Sequence, residues 1–206
     1  LMRLQTDYID IYLIHWPDVN TPLEETADTL KELKKAGKIR FSGISNFEDN
    51  DLEKLYDLGV LDVIQFPYSM VNRSQEQLLK KYHEKGVATM GYGSLGAGIL
   101  TGSIRELPHF EPGDARLELY DFFVEPKFSR VMDLLEVLDD IALKRQVPVA
   151  QVTINWTVQH NFINTSLTGV RNAREAVENT AAMAWQLTAD EIHKIDQAVA
   201  QLDSLS

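Results

Sequence analysis

Two patterns of hydrophobic positions alternate along the chain. Short runs of apolar residues are each followed by a segment whose apolar positions recur three or four residues apart. These spacings predict buried strands and amphipathic helices, respectively. The first four pairs repeat about every 20 to 30 residues, which is typical of βα units around a parallel sheet, in either a doubly wound fold or a barrel. The five predicted strands cover residues 9–15, 40–45, 63–66, 87–91 and 162–168.

Residues that cap helices mark where several of the predicted helices begin and end. Thr21, Ser74 and Thr188 each precede a helical pattern, and each is followed by a Glu or Gln three residues later. This spacing predicts capping boxes, with the hydroxyl residue as the N-cap. Glycine just past the last apolar position ends a helix because it accepts a left-handed backbone. Such glycines occur at Gly37, Gly59 and Gly86.

The alternation stops between residues 102 and 128. This insert is polar and contains proline, and loops of such length usually carry function or disorder. Its aromatic residues predict either a pocket wall or internal packing of the insert; they are Phe110, Tyr120, Phe122 and Phe123. Further helices are predicted at 129–145, 148–160 and 173–184, and a C-terminal helix and tail at 188–206. We expect one domain over residues 1–206.

Composition excludes several classes of protein. The 206 residues are 44% hydrophobic and 25% charged, which is ordinary for a globular domain. The net charge of −11 argues against binding to nucleic acid or to an anionic membrane. The lack of cysteine excludes disulfides, thiolate metal ligands and a thiol nucleophile. No apolar run is long enough for a transmembrane span, so we expect a soluble, cytoplasmic protein.

Polar candidates for function collect where the predicted strands end. His15 ends the first strand, Ser45 and Asn46 end the second, and Gln65 lies near the end of the third. Each could be structural, and a histidine after an apolar strand is often a packing residue. In a βα barrel, however, the chemistry lies at the carboxyl ends of the strands. Amide side chains can bind a carboxamide, and the glycine-rich turn after the fourth strand can bind phosphates, so the pattern favours a nucleotide cofactor.

Five motifs in this order and spacing resemble the aldo-keto reductase family. They are DYIDIYLIHWPD, GKIRFSGISNF, VIQFPYSMVNR, GYGSLGAGILTG and TGVRNAREAVEN. Within the family, the chain is most similar to the bacterial members and to the potassium-channel β-subunit branch. The resemblance implies an α/β fold of the (β/α)8 TIM-barrel type, here an incomplete barrel lacking the first three βα units. It also implies reduction of a small-molecule aldehyde or ketone with NADPH, and NADH remains possible.

The resemblance assigns roles to individual residues. His15 matches the catalytic histidine, and Trp16 beside it borders the substrate pocket. Ser45, Asn46 and Gln65 match the residues that grip the nicotinamide carboxamide, and Tyr68 matches an aromatic residue stacked near the nicotinamide. The remaining cofactor-binding positions cover the pyrophosphate and the adenosine end; they are Tyr92, Gly93, Ser94, Leu95, Gly98, Gly169, Val170, Arg171, Glu175, Glu178 and Asn179. No metal site is implied.

The proton donor of the family has no counterpart in this chain. The family uses a tyrosine supported by a lysine and an aspartate, all of which precede the histidine motif. Tyr8 and Tyr12 lie within that motif, so we interpret them as packing residues. We therefore expect these 206 residues to be part of a longer chain and to be inactive alone.

Alternatives to a reductase remain open. One is a cofactor-binding regulatory protein of the channel-subunit type with little turnover, and another is a catalytically inactive fragment. A third is an unrelated barrel hydrolase or isomerase with His15 as its base, although the five histidines lack close metal-ligand spacing. A homo-oligomer is possible. Arg171 and Arg174 favour the 2′-phosphate of NADPH, whereas Glu175 opposes it.

Overall fold

A computed structural model of the chain describes residues 1–111 and 113–203. The predicted tail, residues 204–206, lies outside the described residues, as does position 112 of the insert. Five strands hydrogen-bond in chain order. The pairs of the first and second strands and of the second and third are parallel. The strands are β1 (Ile9–Ile14), β2 (Ile39–Ser45), β3 (Val63–Pro67), β4 (Ala88–Tyr92) and β5 (Thr165–Leu167).

Eight α-helices and four short 3-10 helices are present among the described residues. The α-helices are α1 (Leu23–Lys35), α2 (Asp49–Asp57), α3 (Glu76–Glu84), α4 (Arg116–Leu119), α5 (Lys127–Arg145), α6 (Val149–Gln159), α7 (Ala173–Thr180) and α8 (Ala189–Asp203). The 3-10 helices are Met2–Leu4, Gly96–Thr101, Asp121–Phe123 and Ala181–Ala184. The glycines predicted to end the first three helices have φ of 67°, 71° and 82°, the left-handed backbone that the prediction required.

Two of the predicted helix starts are wrong in detail. α1 has Pro22 as its N-cap, without a side-chain cap. The hydroxyl of Thr21 instead donates to Asp18 Oδ2 at 2.8 Å. α3 begins one residue later than its predicted cap requires, and the Ser74 hydroxyl donates to Asn72 Oδ1 at 2.8 Å. In both cases the hydroxyl donates to a side chain of the preceding loop, and the helix has no side-chain cap hydrogen bond.

The described chain groups into two compact units, and the first contains most of the sheet. It comprises Leu1–Phe66, Gln75–Gly91 and Phe162–Thr165. Apolar side chains of β2, α2, β3 and α3 form its core, and they are fully buried; among them are Ile44, Leu52, Leu55, Ile64 and Leu79. β1 is an edge strand, and Ile11 and Tyr12 on it remain exposed.

The second unit is mainly helical. It comprises the described residues of Pro67–Ser74, Tyr92–Asn161 and Ser166–Ser206. α5 packs against both α6 and α8. The apolar side chains at these contacts are fully buried and include Leu134, Leu138, Val152, Ile195 and Val199. This unit therefore has a core of its own, which holds the segments after β4 and β5 in place.

The fold class agrees with the expectation in part. The strands form an α/β half-barrel of five strands, and a complete barrel is not confirmed. No helix in the described part of the chain is long and apolar enough to cross a membrane. The single-domain assignment stays a prediction.

The predicted cap of α8 is confirmed and leads to a stability prediction. Glu191 N–H donates to Thr188 Oγ1, and Glu191 accepts from Thr188 and from Arg145 of α5. The Arg145 hydrogen bond is the main reason that the pKa of Glu191 falls to about 2. A lowered pKa stabilises the fold above the unfolded value near 4.5, and this contribution is lost as the pH falls towards 2.

We expect Glu191→Gln to lower the free energy of unfolding by about 1 kcal/mol at neutral pH, because the ion pair with Arg145 is replaced by a hydrogen bond to an uncharged amide. Urea unfolding at pH 7 and at pH 3 measures the effect. The difference between wild type and variant should shrink at pH 3. A constant difference would mean that ionisation of Glu191 does not contribute.

Candidate active site

The predicted polar residues of the first unit lie together at the carboxyl ends of β1, β2 and β3. Ile14 pairs with Ile44, and Ser45 pairs with Gln65 in the parallel register. His15 and Asn46, each one residue past its strand, therefore follow neighbouring strands at the same edge. This is the edge at which βα folds bind ligands.

Hydrogen bonds between these strand ends hold two of the predicted residues. Asn46 Nδ2 donates to the backbone oxygen of His15 and to Ser45 Oγ, both at 3.0 Å. Ser45 Oγ in turn donates to the backbone oxygen of Gln65 at 2.9 Å, and Ser45 is only 1% exposed. Asn46 has φ of 62°, a left-handed conformation that asparagine tolerates better than most residues. Ser45 and Asn46 thus brace three strand ends.

His15 and Gln65 take part in these hydrogen bonds through their backbone oxygens, so their side chains are not used by them. The His15 ring is exposed and lies 5.7 Å from the Trp16 ring, tilted by 44°. Gln65 Nε2 lies 3.9 Å from Met90 Sδ, which is a weak acceptor. A ligand carbonyl would be a stronger acceptor for that amide. His15 and Gln65 therefore present polar groups that suit ligand binding, with Trp16 as an apolar neighbour.

The turn after β4, in the second unit, requires unusual backbone angles. Gly93, Gly96 and Gly98 have φ of 73°, 54° and 97°. A Cβ on Gly96 would lie 2.8 Å from Val71 Cγ2, so that position also lacks room for a side chain. Ser94 Oγ lies 3.0 Å from the backbone oxygen of Leu167 and donates to it. The glycine-rich sequence thus builds a compact turn that a serine attaches to β5.

Ten of the predicted cofactor-binding residues line one cavity of the second unit, which has a volume of about 790 Å³. They are Gly93, Ser94, Leu95, Gly98, Gly169, Val170, Arg171, Glu175, Glu178 and Asn179. The cavity also has a wall from the insert, which includes Ile104, Arg116 and Tyr120. Sequence reasoning did not find Arg116, because its place in an irregular loop gives no periodic signal.

A capping box at the start of α7 organises one wall of the cavity. Asn172 Oδ1 accepts from the Glu175 N–H at 3.0 Å, and Glu175 Oε2 accepts from the Arg171 N–H at 2.8 Å. The Arg171 guanidinium also donates to Glu175 Oε1 at 2.8 Å, and these bonds lower the pKa of Glu175. The Asn-x-x-Glu spacing is a capping-box signal that could have been found in the sequence.

A second arginine, which lies on α7 itself, is also paired. Arg174 Nε donates to Glu178 Oε1 at 2.7 Å, across one helical turn. Both arginine side chains are highly exposed, at 90% for Arg171 and 85% for Arg174. Each guanidinium thus has a carboxylate partner on α7, four residues later in the chain, and an incoming phosphate has to compete with it.

The interpretation of Tyr68 as a ring that stacks on the nicotinamide does not agree with the structure. Tyr68 is 1% exposed, and its ring lies 5.8 Å from the Trp156 ring with an angle of 5° between the planes. A ring enclosed in this way cannot stack on a ligand unless the core opens. Tyr92, at the end of β4, is only half-buried. Its pKa is raised, mainly by burial and in smaller part by the charge of Tyr120.

The aromatic residues of the insert mostly pack against one another. Phe122 and Phe123 are 3% and 1% exposed, and their ring centroids are 5.0 Å apart. Phe110 meets Phe123 edge-on at 5.1 Å. Tyr120 stacks on Phe122 and also lines the cavity. The insert thus has a small aromatic core that positions Tyr120 at the cavity.

Comparison with known proteins identifies the protein family. The Aldo/keto reductase family matches residues 1–200. The chain therefore belongs to the aldo/keto reductase family, in agreement with the resemblance seen in its motifs.

Relatives with known names and structures agree with this assignment. The chain is 35% identical over 193 residues to "Aldo-keto reductase YhdN" of Bacillus subtilis (strain 168), covering 93% of this chain and 58% of the relative. It is 33% identical over 192 residues to "NADH-specific methylglyoxal reductase" of Escherichia coli (strain K12), covering 91% and 58%. The solved glycerol dehydrogenase AKR11B4 from Gluconobacter oxydans aligns with a TM-score of 0.88 and 29% identity, covering 97% and 61%. The chain thus spans about three fifths of the length of these proteins.

Proposed function

We propose that the chain supplies the cofactor-binding and carbonyl-orienting parts of an NAD(P)H-dependent reductase that converts an aldehyde or ketone to an alcohol. The main support is one cavity lined by ten residues that the family resemblance had assigned to cofactor binding. Membership of the aldo/keto reductase family supports the reaction class.

The residues of the cavity suit the pyrophosphate and adenosine parts of a nicotinamide dinucleotide. The glycine turn and the guanidinium of Arg171 suit phosphates, whereas Glu178 and Asn179 suit ribose and adenine hydrogen bonds. When bound, such a cofactor supplies the hydride. In the first unit, we propose that Gln65, with the braced Asn46, holds the carboxamide and so fixes the ring face.

His15 is proposed to act on the substrate. As a carbonyl is reduced, negative charge develops on its oxygen, and a ring N–H of His15 can orient that oxygen and stabilise the charge. The exposed ring at the end of β1 supports this role. Trp16 is proposed as an apolar border of the substrate pocket. The proton donor is not assigned to a residue of this chain.

Cofactor preference is proposed to depend on Arg171 and Glu175. Arg171 suits the 2′-phosphate of NADPH, the cofactor that we favour from the sequence. Because Glu175 already binds that guanidinium, the phosphate has to compete with a carboxylate, and we propose that NADH is also accepted. The name of the NADH-specific relative supports this second part.

A binding and turnover experiment tests the proposal. The full-length reductase that contains this chain should quench or shift the fluorescence of NADPH and NADH saturably, and methylglyoxal should cause oxidation of the bound cofactor. Methylglyoxal is chosen from the name of the Escherichia coli relative, and glyceraldehyde and a simple ketone extend the panel. If neither dinucleotide binds saturably, the proposed function is wrong.

A further inference from the structure

The insert contributes a cation to the cavity, and an aspartate two residues earlier binds it. Arg116 Nη2 lies 2.6 Å from Asp114 Oδ2, and Arg116 Nε lies 3.0 Å from Oδ1 and 3.1 Å from Oδ2 of the same carboxylate. The Arg116 backbone N–H also donates to Asp114 Oδ1, at 3.0 Å. The guanidinium lies 4.5 Å from the centre of the Phe110 ring. Arg116 is therefore held from two sides.

The two partners differ in their relation to the cavity. Among the described residues, Arg116 lines it and Asp114 does not. The Asp114 side chain is 24% exposed, and that of Arg116 is 46% exposed. Hydrogen bonds from Arg116 lower the pKa of Asp114 to about 2, so the carboxylate stays charged at neutral pH. Asp114 is thus a permanent anionic partner placed beside the cavity.

We propose that Asp114 sets the affinity of this cavity for phosphate-bearing ligands by occupying the guanidinium of Arg116. The proposal rests on the proposed function, since it takes the ligand to be a dinucleotide. A guanidinium binds carboxylates and phosphates with the same donor fork, so one partner has to give way to the other. Asp114 thereby acts as a competitor built into the insert.

Sequence proximity makes the exchange of partners a local event. Asp114 and Arg116 belong to one turn, so their separation needs only side-chain rotation there. Partly exposed ion pairs contribute little to stability, and a ligand phosphate can therefore displace the aspartate. The same pairing leaves the cavity less positive before a ligand enters, and this lowers its affinity for anions.

The variant Asp114→Asn tests the proposal, with Asp121→Asn as a matched control. Asp121 lies in the same insert and pairs with Lys127 at 2.7 Å, and neither residue lines the cavity among those described. Dissociation constants are measured by fluorescence for NADPH, NADH and adenosine, with circular dichroism to check folding. We expect Asp114→Asn to bind both dinucleotides about five-fold more tightly. Adenosine binding should stay unchanged, and so should every affinity of the control variant.

A second variant and the remaining outcomes complete the test. Adding Arg116→Gln to Asp114→Asn should remove the gain, because the gain depends on the released guanidinium. If the wild type binds dinucleotides but Asp114→Asn binds them equally or more weakly, Asp114 is not a competitor and only this inference fails. An equal gain for adenosine would also overturn it. If the wild type binds neither dinucleotide, the proposed function fails together with it.

Discussion

In the full-length reductase, the variant His15→Phe is expected to lower kcat/KM for aldehyde reduction by about 10²- to 10³-fold, because it removes the N–H that stabilises the developing oxyanion. Phenylalanine keeps a planar ring beside Trp16 but has no donor. Asn46 contacts His15 through the backbone oxygen, so the brace between the strand ends stays intact. The dissociation constant of the cofactor should therefore stay close to that of the wild type.

Steady-state kinetics and cofactor titration of the same preparation measure the two effects separately. The control is His193→Phe, which removes an exposed histidine on α8 that contacts Gln197. The control should retain wild-type kinetics. Loss of cofactor binding together with activity would show that His15 supports the site structurally. Activity within two-fold of the wild type would show that His15 does not orient the carbonyl.

Local sequence signals were sufficient for much of the fold. The strands and the ends of the first three helices follow from apolar spacing and from glycines that need positive φ, and these are decided within a few residues. The strand-end positions of His15, Asn46 and Gln65 follow in turn, because parallel strands in register bring their carboxyl ends to one edge.

Features that depend on distant partners could not be predicted in this way. Tyr68 became a core residue because Trp156, far along the chain, stacks on it. Arg116 reaches the cavity only because the insert folds on its own aromatic core. In each case, tertiary contacts decide among side-chain partners that the local sequence leaves equally open.

The variant Glu175→Gln is expected to shift the preference towards NADPH by about 30-fold, measured as the ratio of the NADH to the NADPH dissociation constant. Two causes act together. The change removes a carboxylate that would repel a 2′-phosphate, and it releases the Arg171 guanidinium from its charged partner. Glutamine can still accept from the Arg171 N–H, so the capping box should survive.

Fluorescence titrations with both cofactors, at low and at high salt, provide the measurement. Glu84→Gln, which removes an exposed charge on α3, controls for the change in net charge. If affinity for both cofactors rises equally, Glu175 acts through the general potential of the cavity and does not face the 2′ position. An unchanged ratio would mean that Arg171 and Glu175 do not decide the preference. The shift should diminish at high salt, because the exposed Arg171 side chain binds phosphate in contact with solvent, where salt screens the attraction.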